Sequence, residues 1–244
     1  MSNGGIMKYK KLIFDLDGTL VSDRESMKYA FCCVLKELGI TPSKNLALEW
    51  LKFDDAYWHE IESGRTVFPE YVQTKEDRRV YAQAMRFVLF FESFSISFEQ
   101  AIHFNDVYCE NLGMNIVPIL GAEELLCFLK ETYEIYIATN GPRRSALKKL
   151  ENANLSSYIS GVLSSEDAGI TKPSKIFFDS LFQMMQYPNK EEALMIGDGI
   201  TTDILGGMQY GIDTCLFNPN NNQIPVDCKP TMSVQSLLEL KRKL

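Results

Sequence analysis

The run Phe14-Asp15-Leu16-Asp17-Gly18-Thr19-Leu20 sets two carboxylates two residues apart, so in extended backbone both lie on one side. Alone they repel each other; the pair makes sense if a cation neutralises it, or if one member stays protonated and serves as an acid. Asp198 and Asp203 add two further carboxylates. Hard oxygen ligands from Asp15 and Asp198, with water, suit Mg²⁺, which prefers a few carboxylates plus substrate oxygens to an all-protein cage. In Thr139-Asn140-Gly141-Pro142 a hydroxyl, an amide and a glycine precede a proline suited to a first helical turn. Read as a helix N-terminus, its free N–H groups bind phosphate and Thr139 adds a hydroxyl donor; read plainly, it is a cap and a turn. Lys172, in Thr171-Lys172-Pro173-Ser174, is a compact point charge that either reaches a phosphate or carboxylate, or faces water.

Elements must deliver these residues to one place. Residues 10–14 read as a short apolar strand that stops at the acidic run. From Glu25 to about Leu112 strands disappear, and apolar residues recur at helical spacing in 27–38, 46–61, 81–91 and 101–112. After Pro118 the chain alternates. Helices are predicted at 122–130, 143–152, 174–185 and 203–210, strands at 135–138, 161–164, 193–196 and 214–217, and an amphipathic helix closes the chain from Ser233 to Leu244. Such alternation specifies a parallel sheet with right-handed crossovers and helices on both faces, whose ligands sit beyond the strands' carboxyl ends. Three strands end in polar clusters, at Asp15, Thr139 and Asp198, so distant segments converge on one crevice. The fold class expected is α/β, a Rossmann-like parallel sheet flanked by helices formed by 1–22 and 113–244, with an inserted all-helical domain over 23–112.

In this order and spacing the four segments resemble the haloacid dehalogenase superfamily: Asp15-Leu16-Asp17-Gly18-Thr19 matches its first motif, Thr139 its second, Lys172 its third, and Gly197-Asp198 with Asp203 its fourth. The helical insert directly after the first motif is similar to the family's first cap class. Ile137-Ala138-Thr139-Asn140-Gly141, Lys172-Pro173 and Asp203-Ile204-Leu205-Gly206-Gly207 further resemble bacterial pyrimidine-type 5′-nucleotidases. The resemblance implies a Mg²⁺-dependent phosphatase in which Asp15 is phosphorylated, Asp17 acts as acid and base, and Thr139, Asn140, Gly141 and Lys172 hold the phosphate. It places the metal site at Asp15, Asp17 through its main-chain carbonyl, Asp198 and Asp203, with Asp198 the direct side-chain ligand. Asp203 then orients the metal's water shell or Lys172, or merely caps a helix. Because halide leaves without protonation, dehalogenases of the superfamily lack a carboxylate at the position of Asp17, and its presence favours phosphoryl transfer. A phosphomutase shares nearly all these residues, and a catalytically silent interaction module keeps the fold without the chemistry.

A helical cap closing over the crevice would exclude water and touch the substrate away from its phosphate. Residues 57–65 mix aromatic, basic and small types; His59 and Arg65 are equally candidates for substrate contact and for solvated surface, while Trp58 is expected to pack the cap core. Core packing also accounts for Phe87, Phe90, Phe91, Phe94 and Phe98 better than a cofactor box does. Across 244 residues the 25 Lys and Arg against 32 Asp and Glu leave a net charge of −7 and no basic stripe. Polymeric nucleic acid is therefore not an expected partner, and a local cation must overcome the protein's own field at a phosphate. The six cysteines show no paired spacing and read as free thiols of a reducing cytosol. The polar start of the chain and the lack of any long apolar run point to a soluble cytoplasmic protein that does not engage membranes. Its partner is expected to be a small phosphate ester; oligomeric state is not legible. The asparagine-rich loop 218–222 is expected to be a surface connection.

Overall fold

In the computed structural model, which describes residues 8–62, 64 and 66–244, the chain divides into two compact units. One reaches up to Asp23 and resumes at Ile116; the other is Arg24–Asn115. In chain order, strands β1 (Lys11–Phe14) and β2 (Val21–Ser22) precede helices α1 (Arg24–Glu37), α2 (Lys44–Glu62), α3 (Lys75–Phe90) and α4 (Phe98–Asn111). Then follow β3 (Val117–Pro118), α5 (Ala122–Leu129), β4 (Glu134–Thr139), α6 (Arg143–Asn152), β5 (Gly161–Ser164), α7 (Ser165–Ala168) and α8 (Lys175–Met184). The chain ends with β6 (Ala193–Gly197), α9 (Gly206–Tyr210), β7 (Asp213–Phe217), β8 (Met232–Val234) and α10 (Leu240–Lys243).

Six strands form one parallel sheet in the order β5-β4-β1-β6-β7-β8. Its central strands are apolar along almost their whole length, as strands covered on both faces must be. Alternation sorts their side chains. Leu12, Phe14, Ile137 and Ile196 pack on one face with Leu125 and Leu126 of α5 and Leu150 of α6. Ile13, Ala138 and Met195 pack on the other with Phe177, Phe178 and Leu181 of α8 and Tyr210 of α9. The strand order reverses at β1, flanked by β4 on one side and β6 on the other, and such a reversal opens a crevice beyond the carboxyl ends. Phe14 registers with both Ile137 and Ile196, so β6 runs one residue and β4 two residues past the end of β1, and the N–H of Asp15 extends the ladder to the Ile196 carbonyl at 2.8 Å.

Two local expectations are corrected, and one small feature was not legible in the sequence. The regular helix expected over 203–210 is a π-helical segment, Ile200–Leu205, followed by the short α9. The wide turn accompanies an inward-facing Asp203, 1 % exposed, a type of distortion that favours functional sites. The closing helix expected from Ser233 is instead β8, a 3₁₀ turn (Leu237–Glu239) and the short α10. Met232 and Val234 pair with Cys215 and Phe217 at the sheet edge, and a three-residue strand is too short for its alternation to stand out from helical spacing. Likewise β2 and β3, an antiparallel ribbon of two residues each, lie below the length at which pattern is readable.

In the helical unit, Thr74 and Ser97 start α3 and α4 as capping boxes, with Asp77 and Gln100 answering each cap's own N–H. Trp50, fully buried, lies between Phe31 at 4.6 Å and Phe87 at 4.8 Å, both nearly parallel to it. Arg86 is buried beside it, donating to Asp54 at 2.9 Å and to Asn105 at 3.0 Å, and burial pushes the Asp54 carboxyl up against the opposing pull of Arg86. Phe87 and Phe91 are core residues and Phe90 packs against them, but Phe94 and Phe98 are exposed, which corrects the expectation that all five pack inside. They fall in and after the 3₁₀ turn Glu92–Phe94, where the helical face is lost. Trp58 is half-buried, its ring 5.5 Å from the Arg86 guanidinium. Among the described residues no helix is long and apolar enough to cross a membrane, and all six cysteines are free.

Candidate active site

Strand β1 ends at Asp15 because a buried apolar run cannot continue through carboxylates, and the chain turns at Gly18, whose φ of +82° favours glycine. A side chain there would collide with the Asp198 carboxylate, so Gly18 also lets the first loop press against the loop after β6. Thr19 clips the two together: its hydroxyl donates to Asp198 Oδ1 at 3.0 Å and accepts from the Asp198 N–H at 3.0 Å. The carboxylates of Asp15, Asp198 and Asp203 each offer an oxygen within 4.8 Å of the others.

Lys172 enters this cluster from the loop before α8. It is 3 % exposed, and its ammonium donates to Asp15 Oδ1 at 2.6 Å, Asp203 Oδ1 at 2.7 Å and the Ala138 carbonyl at 2.6 Å. With three donors and three acceptors it is saturated, so it acts on any further anion as a charge rather than through a free N–H. Burial alone would push this ammonium down, but Asp15 and Asp203 outweigh it and the net shift is up. Asn140 fixes the lysine's backbone, its Oδ1 accepting from the Lys172 N–H at 2.8 Å and its Nδ2 donating to the Lys172 carbonyl at 3.3 Å. The Asn140 side-chain amide is thus engaged by the loop that carries Lys172. Asp203 also accepts from the Gly199 N–H at 3.0 Å, so both of its oxygens are taken; the geometry favours orienting Lys172 over direct metal ligation.

Three carboxylates around one ammonium leave excess negative charge. Desolvation pushes Asp15 up to about 6 against the pull of Lys172, and it raises Asp203 in the same way. Asp198 is raised to about 6 by desolvation and by the charge of Asp15, although its side chain reaches solvent. A hard divalent cation matches this donor set: carboxylate oxygens only, close together, short of positive charge. Mg²⁺ therefore fits, with Asp15 and Asp198 as the carboxylates free to hold it and the Asp17 main-chain carbonyl as the third candidate.

Asp17 is served by a different cation. Its Oδ1 accepts from the ammonium of Lys149, on α6, at 2.6 Å, and Lys149 reaches Asp23 at 3.4 Å. Burial pushes Asp17 up to about 6 against the opposing charge of Lys149. At the end of β4, Thr139 Oγ1 accepts from the Gly141 N–H at 3.0 Å, leaving its hydroxyl proton free to donate. Among the site's polar groups, sequence reasoning missed Lys149, yet a signal existed. Ala146, Leu150 and Ala153 form the buried stripe of this segment and Lys149 falls on it, so it needs a buried anion. The loop 218–222 is exposed from Pro219 on, as a surface connection is, and Asn218, Asn220 and Asn222 line a cavity of about 240 Å³ with Gly18 and Asp198.

Of the remaining candidates, His59 is exposed on α2 in the helical unit, and Arg65 lies outside the described residues. Thus Asp15, Lys172 and Asp203 are in direct contact and Asp198 lies within 4.8 Å of both carboxylates, with Asp17, Thr139, Asn140 and Gly141 on the adjoining strand ends.

Comparison with known proteins gives a consistent result. The profile of the haloacid dehalogenase-like hydrolases matches residues 9–211. The pyrimidine 5′-nucleotidase PynA of Streptococcus pneumoniae is 31% identical over 96% of this chain and 94% of its own. The pyrimidine 5′-nucleotidase YjjG of Escherichia coli is 33% identical over 57% of this chain and 62% of its own. Among solved structures, that of the HAD-hydrolase YfnB of Bacillus subtilis bound to magnesium aligns with a TM-score of 0.84 at 25% identity, covering 98% of this chain and 99% of that one.

Proposed function

The chain belongs to the haloacid dehalogenase-like hydrolases, and from that premise we propose that it hydrolyses a small phosphate monoester, a nucleoside 5′-monophosphate by preference, through an aspartyl phosphate on Asp15. The observation that carries this reading is the placement of Asp15 at the sheet's reversal point. It is held by a saturated lysine on one side, with a second carboxylate, Asp17, engaged separately two residues on. One carboxylate is arranged as a nucleophile and the other as a proton carrier.

A carboxylate of Asp15 attacks phosphorus in line with the leaving oxygen, forming the acyl phosphate as the P–O ester bond breaks. Asp17 delivers a proton to the leaving oxygen and then takes one from the water that hydrolyses the acyl phosphate, restoring Asp15 and releasing phosphate. Lys172 offsets the negative charge that gathers around Asp15, while the Thr139 hydroxyl and the Asn140 N–H donate to non-bridging oxygens. Mg²⁺ held by Asp15, Asp198 and the Asp17 carbonyl would screen phosphate from carboxylate and polarise the phosphoryl group. The preference for a nucleoside monophosphate is supported by the 31% identity to a pyrimidine 5′-nucleotidase across nearly the whole chain.

A phosphate-release screen over nucleotides and sugar phosphates, with and without Mg²⁺, tests this directly. Nucleoside monophosphates are expected to turn over only with the metal. Asp15→Asn is expected to lower kcat about 10⁴-fold or more and to abolish phosphate trapped on acid-quenched protein. Normal turnover in that variant would refute the nucleophile, and phosphate that migrates within a substrate without release would establish a mutase instead.

A further inference from the structure

We infer that Lys149 is a positioning residue for the reaction: it pins one oxygen of the Asp17 carboxylate so that the other faces the phosphate cradle. This rests on the reading of Asp17 as the proton carrier. The side chain of Lys149 is 6 % exposed, and a buried ammonium is costly unless it is paired. Among the described residues its ion pairs are with Asp17 at 2.6 Å and Asp23 at 3.4 Å. Asp17 Oδ1 is therefore an acceptor, since an ammonium carries no lone pair to receive a proton. Oδ2 points elsewhere, and a Cβ built on Gly141 would lie 3.6 Å from it. Gly141 is the glycine of the Thr139-Asn140-Gly141 turn, where the strand end meets α6.

The carboxylate is thus held at one end and open at the other, on the side where a phosphate would sit. In the first half-reaction, Asp17 Oδ2–H gives its proton to the ester oxygen as that oxygen leaves phosphorus. In the second, Oδ2 takes a proton from the water attacking the acyl phosphate, and the Asp15 carboxylate departs. Lys149 forms and breaks no bond; it decides which oxygen carries the proton. Asp23 gives the lysine a second anchor, and Asp17, Asp23 and Lys149 all belong to one compact unit.

The test compares Lys149→Met, Lys149→Arg, Asp17→Asn and the double variant Asp17→Asn with Lys149→Met, all with Mg²⁺. The substrates are an alkyl phosphate, whose leaving group needs a proton, and p-nitrophenyl phosphate, whose leaving group needs little help. Lys149→Met is expected to lose about 10²-fold or more in kcat on the alkyl ester and less than about tenfold on p-nitrophenyl phosphate, with KM little changed. Lys149→Arg should recover most of the loss, and the double variant should be no slower than Asp17→Asn alone. Equal losses on both esters, no recovery with arginine, or additive losses in the double variant would overturn the inference. If the methionine variant does not fold, Lys149→Gln takes its place with the same expected selectivity for the alkyl ester. If the unaltered protein releases no phosphate, the proposed function fails; if Asp17→Asn is leaving-group-selective and Lys149→Met is not, only the role of Lys149 fails.

Discussion

The residues of the crevice occupy two electrostatic compartments. Asp15 and Asp203 share Lys172, while Asp17 and Asp23 share Lys149, so neighbouring carboxylates are served by separate cations. Asp198 has no ion pair among the described residues and takes a neutral hydroxyl partner in Thr19, which leaves it the natural ligand for a metal. This has a consequence for pH. Asp15 and Asp198 are raised to about 6, against roughly 3.9 for an aspartate in an unfolded chain. At these two carboxyls the metal-free fold binds more protons than the unfolded chain between about pH 4 and 6, and they make it less stable as pH rises through that window. Mg²⁺ needs the deprotonated carboxylates, so its stabilisation should be complete above about pH 6 and fade below it. The rise in Tm on adding Mg²⁺ to EDTA-treated protein is expected to be larger at pH 7.5 than at pH 5, and an equal rise at both would contradict it.

At the scale of elements, the π-helical turn after β6 and the glycines of α9 do related work. The turn brings Asp203 beneath Lys172, and α9 then has to pass close to the sheet. A Cβ on Gly207 would lie 2.6 Å from Thr214 Cγ2 on β7, with Ile212 and Met195 also in contact. Backbone and branched side chains cannot give way cheaply, and overpacking of this kind typically costs about 1–3 kcal/mol. Gly207→Ala is therefore expected to lower stability by that amount in urea unfolding with an unchanged m-value. A neutral substitution would mean that α9 is free to shift. The same geometry explains why the helical pattern expected over 203–210 was only partly right. Its buried residues follow from a close approach to the sheet and a buried carboxylate, and neither is written in local periodicity.

Each of the two units has its own hydrophobic core. In the helical unit the aromatic stack around Trp50 concentrates much of the buried apolar surface, and truncating such a residue typically costs about 3–5 kcal/mol. Trp50→Ala is expected to raise hydrogen exchange throughout α1 to α4 while amides of β1, β4 and β6 keep their protection. A matching loss of protection in the strands would show that the two cores unfold together. Arg86 belongs to the same argument: a buried guanidinium fully matched by Asp54, Asn105 and surrounding rings is explained by packing and pairing.

By itself the sequence determined the α/β class, the parallel sheet and the places where polar residues interrupt its strands. Apolar runs, helical spacing and glycine-bearing turns are local properties, and the carboxyl-end rule converts them into a common crevice. Asp15 and Asp198 were therefore readable as candidates from residue type and spacing, and the family resemblance added Lys172 and Asp203. Tertiary structure alone decided which carboxylate each lysine serves, because pairing depends on register between segments more than a hundred residues apart in the chain, as with Lys149 and Asp17. It also decided that the Asn140 amide holds Lys172 and that Phe94 and Phe98 stay outside. A side chain's partner is set by the three-dimensional path of the backbone, and residue type states only which partners it can accept.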